Sequence, residues 1–379
     1  MSRVAYVSGR YRPQREAAVH IEDRGYQFGD GVYEVVAVTR GRLVDEERHL
    51  ARLHRSLTEL RINPPMSDAA LKVVMREVIH RNGVETGIVY LQVTRGVAPR
   101  DHAFPKAAKP VLVVTSRRSR PPDPRLGRDG IAVTRGRLVD EERHLARLHR
   151  SLTELRINPP MSDAALKIVM REVIHRNGVE TGIVYLQVTR GVAPRDHAFP
   201  KAAKPVLVVT SRRSRPPDPR LGRDGIAVIT IPDIRWQRCD IKSVALIANV
   251  LGKQQAREAG AYEAWQIDRE GQVTEGTSTN AWIVTADDTV ITRVADHAIL
   301  NGVTRAAILD IIQREGYRLV ERPFTVAEAK TAREAFLTST TADLLPVVRI
   351  DGAPVSDGTP GPLSRKLREA YLLHAAAAA

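Results

Sequence analysis

Trp236–Ala245 reads W-Q-R-C-D-I-K-S-V-A, a mixed-polarity strand end that gives way to the apolar helix pattern A-L-I-A-N-V-L-G. Lys242 stands at that junction rather than on the wet face of a helix. Most lysines are solvated surface charges. A lysine that is desolvated or placed near another cation loses its proton readily, however, and can then act as a Schiff-base nucleophile. What Lys242 does depends on what the rest of the chain supplies around it.

A chain of 379 residues predicts two or three domains with a sizeable core. Its composition, 43% hydrophobic and 27% charged, is that of an ordinary globular protein. The N-terminus, M-S-R-V-A-Y-V-S-G-R, has no signal-peptide apolar stretch, and no run reaches the length of a membrane span. Cys239 is the only cysteine, which rules out an intramolecular disulfide; a cytoplasmic location and no membrane partner are the expectation.

The net charge of +14 and pI near 10.2 suggest nucleic acid as a partner. A repeat weakens that reading. Thr39–Val133 and Thr134–Val228 are the same 95 residues in tandem, differing only at Val73 and Ile168. Solenoid repeats are shorter and diverge at their surfaces. Identity through loops, prolines and exposed charges points instead to a recent duplication, an engineered insertion or an error of assembly. Each copy carries a net charge of +8, so a single-copy chain of 284 residues would carry only +6. The cluster Arg117–Arg125, R-R-S-R-P-P-D-P-R, is proline-rich without interleaved aromatics, a solvated linker rather than a phosphate-tracking groove. No nucleic-acid partner is expected.

Upstream of Lys242, Glu22–Val36 reads E-D-R-G-Y-Q-F-G-D-G-V-Y-E-V-V and ends in a strand. In E-E-R-H-L-A-R-L-H-R-S-L-T-E-L, Leu50, Leu53, Leu57 and Leu60 share one helical face, and Arg52 points away from it as a solvated charge would. A second helix is expected near Ala69–Arg81, and strands at Ile88–Thr94 and Pro110–Thr115. The loop between those strands holds Arg100 and His102, suited either to solvent or to gripping a carboxylate. The second copy repeats these elements, with Arg147, Arg195 and His197 as counterparts.

Downstream, a helix is expected over Ala245–Ala259 and strands at Tyr262–Asp268 and Ala281–Thr285. Glu275 lies between them in the small-residue run V-T-E-G-T-S-T-N, where a turn carboxylate is usually solvated. The helix in Ile299–Gly316 begins at Gly302-Val303-Thr304, whose backbone N–H groups and hydroxyl make a phosphate seat or an ordinary cap. Thr325–Glu328 is a capping box. Ser339, Thr340 and Thr341 stand at a strand end, and a final helix is expected near Leu363–His374. His49 and His54 have no ligand spacing, so no metal is expected.

Taken together, E-D-R-G-Y-Q-F-G-D-G-V-Y-E-V, H-L-A-R-L, V-T-R-G-V-A-P-R-D-H, I-R-W-Q-R-C-D-I-K-S, V-T-E-G-T-S-T-N, L-N-G-V-T-R and T-S-T-T resemble, in order, the D-amino-acid branch of the class IV, pyridoxal-phosphate aminotransferases. The resemblance implies an α+β, two-domain fold type IV, with a small N-terminal α/β domain and a larger C-terminal pseudo-barrel. The duplicate would lie in the N-terminal domain, giving domains at 1–213 and 225–379 joined by a linker at 214–224. It implies pyridoxal 5′-phosphate as cofactor, and ping-pong transfer of an amino group from D-alanine to 2-oxoglutarate. Branched-chain aminotransferase, aminodeoxychorismate lyase and an inactive chain are the alternatives. Lys242 would bind the cofactor covalently and shuttle the substrate proton. Glu275 would contact the pyridine nitrogen. Arg52 or Arg147, with Val303, Thr304, Ser339 and Thr340, would hold the phosphate. Tyr33, Arg100 and His102, or Arg195 and His197, would trap the substrate carboxylate, offered across a homodimer. A hybrid is favoured in which the chain enters on the first copy and leaves on the second, so that Arg52 works with Arg195 and His197.

Overall fold

The computed structural model describes residues 3–43, 46–105, 107–118, 126–134, 136–192, 199–200, 203–213, 218–340 and 342–378. The chain divides into two compact units. One comprises residues 1–123 with 194–199 and 244–251; the other comprises 124–193, 200–243 and 252–379.

The first unit contains β1 (Val4–Val7), β2 (Arg10–Pro13), α1 (Arg24–Phe28), β3 (Gly31–Thr39), β4 (Arg42–Leu43), α2 (Glu46–Glu59), α3 (Asp68–Arg81), β5 (Thr86–Thr94) and β6 (Val111–Arg118). Its strands form one sheet in the order β2-β1-β6-β5-β3-β4. The leucine stripe of α2 is buried as its spacing predicts: Leu50, Leu53 and Leu57 pack with Leu71, Met75 and Val78 of α3 and with Val89, Leu91 and Val114 of the sheet. Ser67 caps α3, its hydroxyl accepting from Ala70 N–H. The glycine-rich stretch before β3 folds as α1, capped by Asp23, over a buried ion cluster in which Asp30 accepts from Arg24 and Arg95.

In the second unit the tandem copy repeats the motif as β7 (Leu126–Thr134), β8 (Arg137–Leu138), α4 (Glu141–Glu154), α5 (Asp163–Arg176), β9 (Gly182–Thr189) and β10 (Val206–Arg213). The sheet order is β10-β9-β7-β8. There follow α6 (Pro219–Asp224), β11 (Ile226–Pro232), α7 (Ile247–Glu258), β12 (Glu263–Ile267), β13 (Val273–Gly276), β14 (Asn280–Val284), β15 (Val290–Thr292), α8 (Val303–Arg314), β16 (Leu319–Glu321), α9 (Val326–Thr331), β17 (Glu334–Ser339), β18 (Asp343–Ile350), β19 (Ala353–Pro354) and α10 (Pro362–Ala378). These strands build a mixed sheet ordered β13-β12-β11-β18-β17-β14-β15-β16, with β19 paired to β18. The result is the mixed two-part α+β architecture expected.

Four expectations need correction. Residues 124–193, expected in the N-terminal domain, cluster with the C-terminal half. The copies are not spliced: β3 pairs along its whole length with β5 of the first copy. Glu275 belongs to a buried strand rather than a wet turn, because β13 pairs with β12 through Trp265↔Gly276. The last helix runs on through the alanines to Ala378, since that residue type has the best helix propensity.

One difference between the copies is conformational. L-G-R-D-G-I-A-V occurs at Leu126–Val133 and again at Leu221–Val228. In the first it is continuous strand, Leu126 lying opposite Thr189 of β9. In the second, Leu221–Asp224 is helical behind an N-cap at Asp218 and Pro219 at the first turn, and Gly225 turns the chain at φ 78° into β11. Leu221 there packs on the core of Trp265, Phe324 and Val347. Available partners, not local preference, select the conformation.

Candidate active site

The Lys242 loop is held by the second copy. Ile241 is buried in the core formed by Leu145, Leu148 and Leu152 of α4 with Val184 and Leu186 of β9. The Lys242 backbone N–H donates to Ser151 Oγ at 3.3 Å, and Arg150 of the same helix donates to Asp240 O at 3.0 Å. Arg238 reaches Glu154 at 2.6 Å. Lys242 itself is half-buried.

On the inner face of α4 lie His144 and Arg147, both buried, with Arg147 Nη2 3.2 Å from His144 Nδ1. Burial holds His144 well below its usual pKa, and the charges of Arg147 and Lys242 push the same way. A guanidinium only donates, so Nδ1 accepts and the imidazole is neutral.

The identical helix α2 in the first unit is wired differently. Arg52 makes a two-pronged pair with Glu34, Nε to Oε1 and Nη2 to Oε2, both at 2.7 Å, and His49 Nδ1 takes the same carboxylate at 2.8 Å. Burial alone would raise the Glu34 pKa, but Arg52 and His49 outweigh it and hold it low. At the register of Tyr33 and Glu34 in β3, facing Gln92 and Leu91, β7 carries Arg128 and Asp129, facing Gln187 and Leu186.

Glu275 is fully buried, and burial raises its pKa against the pull of Arg235. Arg235 donates to Oε1, Asn280 Nδ2 donates to Oε2 at 3.1 Å, and Leu300 N–H reaches both oxygens. Asn280 also donates to Leu300 O at 2.9 Å, which ties the carboxylate to the chain entering α8. Gly302 is the N-cap of α8 and supplies no side-chain cap; a β-carbon there would collide with Asn280 Oδ1. The first turn, Val303 and Thr304, thus begins with backbone N–H groups and no capping side chain, as an anion seat requires. Thr304 Oγ1 lies 3.3 Å from Tyr371 Oη, so its hydroxyl is shared with α10.

β14 and β17 pair through Asn280↔Thr338, which brings Ser339 and Thr340 to the same end of the sheet as Asn280. Ser339 Oγ accepts from Ala342 N–H at 3.1 Å, and Ser339 and Thr340 are both half-buried. Thr341 lies outside the described residues.

The expected carboxylate trap belongs to the first unit. Tyr33 is exposed on β3, 5.7 Å from the Tyr90 ring. Arg100 lies over Phe28 at 4.7 Å, and His102 packs edge-on against the same ring at 5.3 Å. Their counterparts Arg195 and His197 lie outside the described residues. Reading by residue type missed three participants: His144, Arg235 and Asn280. The first sits three residues before Arg147 on one helix face, a signal available in the spacing; the other two act only through tertiary contacts.

A half-buried amine on the loop seated by the Arg147 helix, a helix start without a side-chain cap and a buried carboxylate tied to that same start are donors and acceptors of the kinds that the aldehyde, phosphate and pyridine nitrogen of pyridoxal phosphate would need. The donor set fits that cofactor, and the fold and site define the class of pyridoxal-phosphate enzymes. The chain belongs to the class IV aminotransferases: the model of that family matches residues 31–129 and again 128–350. The second match spans the tandem copy and the C-terminal half without a break.

Among curated relatives, the D-alanine aminotransferase of Bacillus licheniformis is 33% identical over 96% of this chain and 94% of its own. That of Staphylococcus haemolyticus is 40% identical over 97% and 95%. Among solved structures, an aminodeoxychorismate lyase homologue from Legionella pneumophila superposes with a TM-score of 0.61 at 22% identity, over 66% of this chain and 91% of its own. A branched-chain aminotransferase homologue from Thermotoga maritima gives 0.56 at 22% identity, over 66% and 86%. These two share the fold.

Proposed function

We propose that the chain is a D-amino-acid transaminase that moves the amino group of D-alanine to 2-oxoglutarate, with its cofactor site assembled on the second unit. The observation that carries the assignment of the site is the seating of the Lys242 loop on α4, with Ser151, His144 and Arg147 against it. Near-full-length similarity to D-alanine aminotransferases supports the substrate.

When bound, pyridoxal phosphate supplies an electron sink for negative charge at the substrate Cα. Lys242 would hold the cofactor through Nζ, and the same nitrogen, freed once the substrate's amino group replaces it there, would carry the Cα proton. Glu275, its oxygens fixed by Arg235 and Asn280, would accept from the pyridine N–H. Arg147, the first turn of α8 and the Ser339-Thr340 end of β17 would hold the phosphate. Tyr33, Arg100 and His102, carried on the first unit, form the carboxylate trap in a cytoplasmic homodimer. Arg52, committed to Glu34, stands outside the cofactor site.

Incubation with pyridoxal phosphate is expected to give a visible absorbance band, fixed by borohydride on the peptide holding Lys242 and lost in Lys242→Ala. Turnover of D-alanine with 2-oxoglutarate should follow the band. Turnover of L-leucine alone would replace this reading with a branched-chain one.

A further inference from the structure

The loop that carries Arg100 and His102 rests on side chains of the segment Asp23–Asp30, all of them in the first unit. Arg24 has no exposed surface, and its guanidinium is shared three ways. Nε donates to Asp30 Oδ2 at 2.7 Å, Nη1 donates to the carbonyl of Asp101, and Nη2 donates to that of His102 at 3.3 Å. Arg95 fixes the base of the loop. Its Nε and Nη2 donate to the same Asp30 carboxylate at 2.8 and 3.0 Å, and it donates also to Leu60 O and Arg61 O. Between these two points Asp23 bridges to Val97, and Ala98 N–H donates to Glu22 O at 3.2 Å.

The side chains follow the backbone. The buried Phe28 ring meets the Arg24 guanidinium at 4.5 Å, the Arg100 guanidinium at 4.7 Å and the His102 ring at 5.3 Å. From Arg95 to Pro105 the chain forms no helix or strand beyond the Val97 bridge, so its geometry depends on bonds from side chains to its backbone. Asp23–Asp30 precede the duplicated segment and occur once in the chain. Arg190, the counterpart of Arg95, repeats the bonds to the two helix-end carbonyls, Leu155 O and Arg156 O. The arginine, ring and carboxylate beneath the loop are supplied to the first copy alone by the segment before it.

We infer that Arg24 is a positioning residue for the carboxylate trap. By gripping the carbonyls of Asp101 and His102 it fixes the peptides on either side of the His102 Cα and aims Arg100 and His102 from the Phe28 ring. The inference rests on the transaminase reading, in which those two side chains receive the substrate carboxylate. Being fully buried, Arg24 acts through the loop and not on substrate. The role needs an arginine: a guanidinium holds three acceptors in one plane at fixed spacing, whereas a lysine ammonium is a point charge on a flexible stem.

The test sets Arg24→Lys beside the native chain, both loaded with pyridoxal phosphate. Hydrogen exchange, read without substrate, should quicken by about tenfold or more over 97–104 and stay unchanged over 86–94, because the lost charge-assisted bonds hold only the loop. In turnover of D-alanine with 2-oxoglutarate, KM for D-alanine should rise by about tenfold while kcat holds, the split that marks weakened substrate binding. Native exchange over 97–104, or a native KM, would overturn the inference. So would faster exchange over both segments with a matching fall in kcat, which marks general loss of structure. Should Arg24→Lys fail to fold, Arg24→Gln carries the same two measurements with the same outcomes, since it leaves Asp30 paired with Arg95 and puts no charge into the core. A native chain inactive on D-alanine rejects the transaminase reading, and the exchange result still decides whether Arg24 holds the loop.

Discussion

At the scale of single residues, one helix sequence yields two chemical settings. Arg52 and His49 share the Glu34 carboxylate, whereas Arg147 and His144 lie together, buried, on the helix that seats the Lys242 loop. Arg147→Ala should therefore weaken pyridoxal phosphate binding by about tenfold or more, by loss of a charge-assisted phosphate contact. Arg52→Ala should leave it unchanged; equilibrium titration of the cofactor band distinguishes the two. His144 also makes stability pH-dependent. Its folded-state pKa is depressed by burial, so below its ordinary value of 6.5 the unfolded chain binds the extra proton. The contribution is whole above that pH and is lost as the pH falls below it, by about 1.4 kcal/mol per pH unit until the folded-state pKa is reached. Urea unfolding at pH 7.5 and 5.5 should show the loss in the native chain and a smaller one in His144→Gln.

At the scale of elements, amphipathic spacing carried most of the assignment. α2, α3 and their copies bury the expected leucines, and the capping box at Thr325 forms with both of its hydrogen bonds. What periodicity could not supply was neighbourhood. Leu112 and Leu207 are the same residue in the same strand, yet only the first is sealed by the β1–β2 hairpin. Leu112→Ala is expected to cost about 2–5 kcal/mol, the range for a buried leucine, and Leu207→Ala distinctly less. Denaturant unfolding of the two variants checks the ordering, and equal costs would mean that β10 is covered in solution.

At the scale of the whole molecule, the two compact units hold separate parts of the proposed site. The second contains Lys242, Arg147, Glu275 and the start of α8; the first contains Tyr33, Arg100 and His102. Two calorimetric transitions are expected, as for multidomain chains generally. Pyridoxal phosphate at about a hundred times its dissociation constant should stabilise one of them by about 2.7 kcal/mol and leave the other in place. A shift of both would show that the first unit shares in holding the cofactor.

Lys242, Glu275 and the Gly302-led helix start stood out through the resemblance of the stretches that hold them to the class IV aminotransferases, since residue type and spacing alone left a solvated charge, a wet turn and an ordinary cap as the plainer readings. Local periodicity sufficed for helices and strands, since it records which face is apolar. The choice between copies was not legible, because identical residues carry identical local information. Only tertiary structure decided that α4 rather than α2 seats the lysine loop, and that Glu275 is buried rather than wet. The clearest case is L-G-R-D-G-I-A-V, extended throughout where β9 offers an edge, but helical over its first four residues where the core around Trp265 accepts Leu221. Short segments have no conformation strong enough to resist the partners that long-range packing brings them.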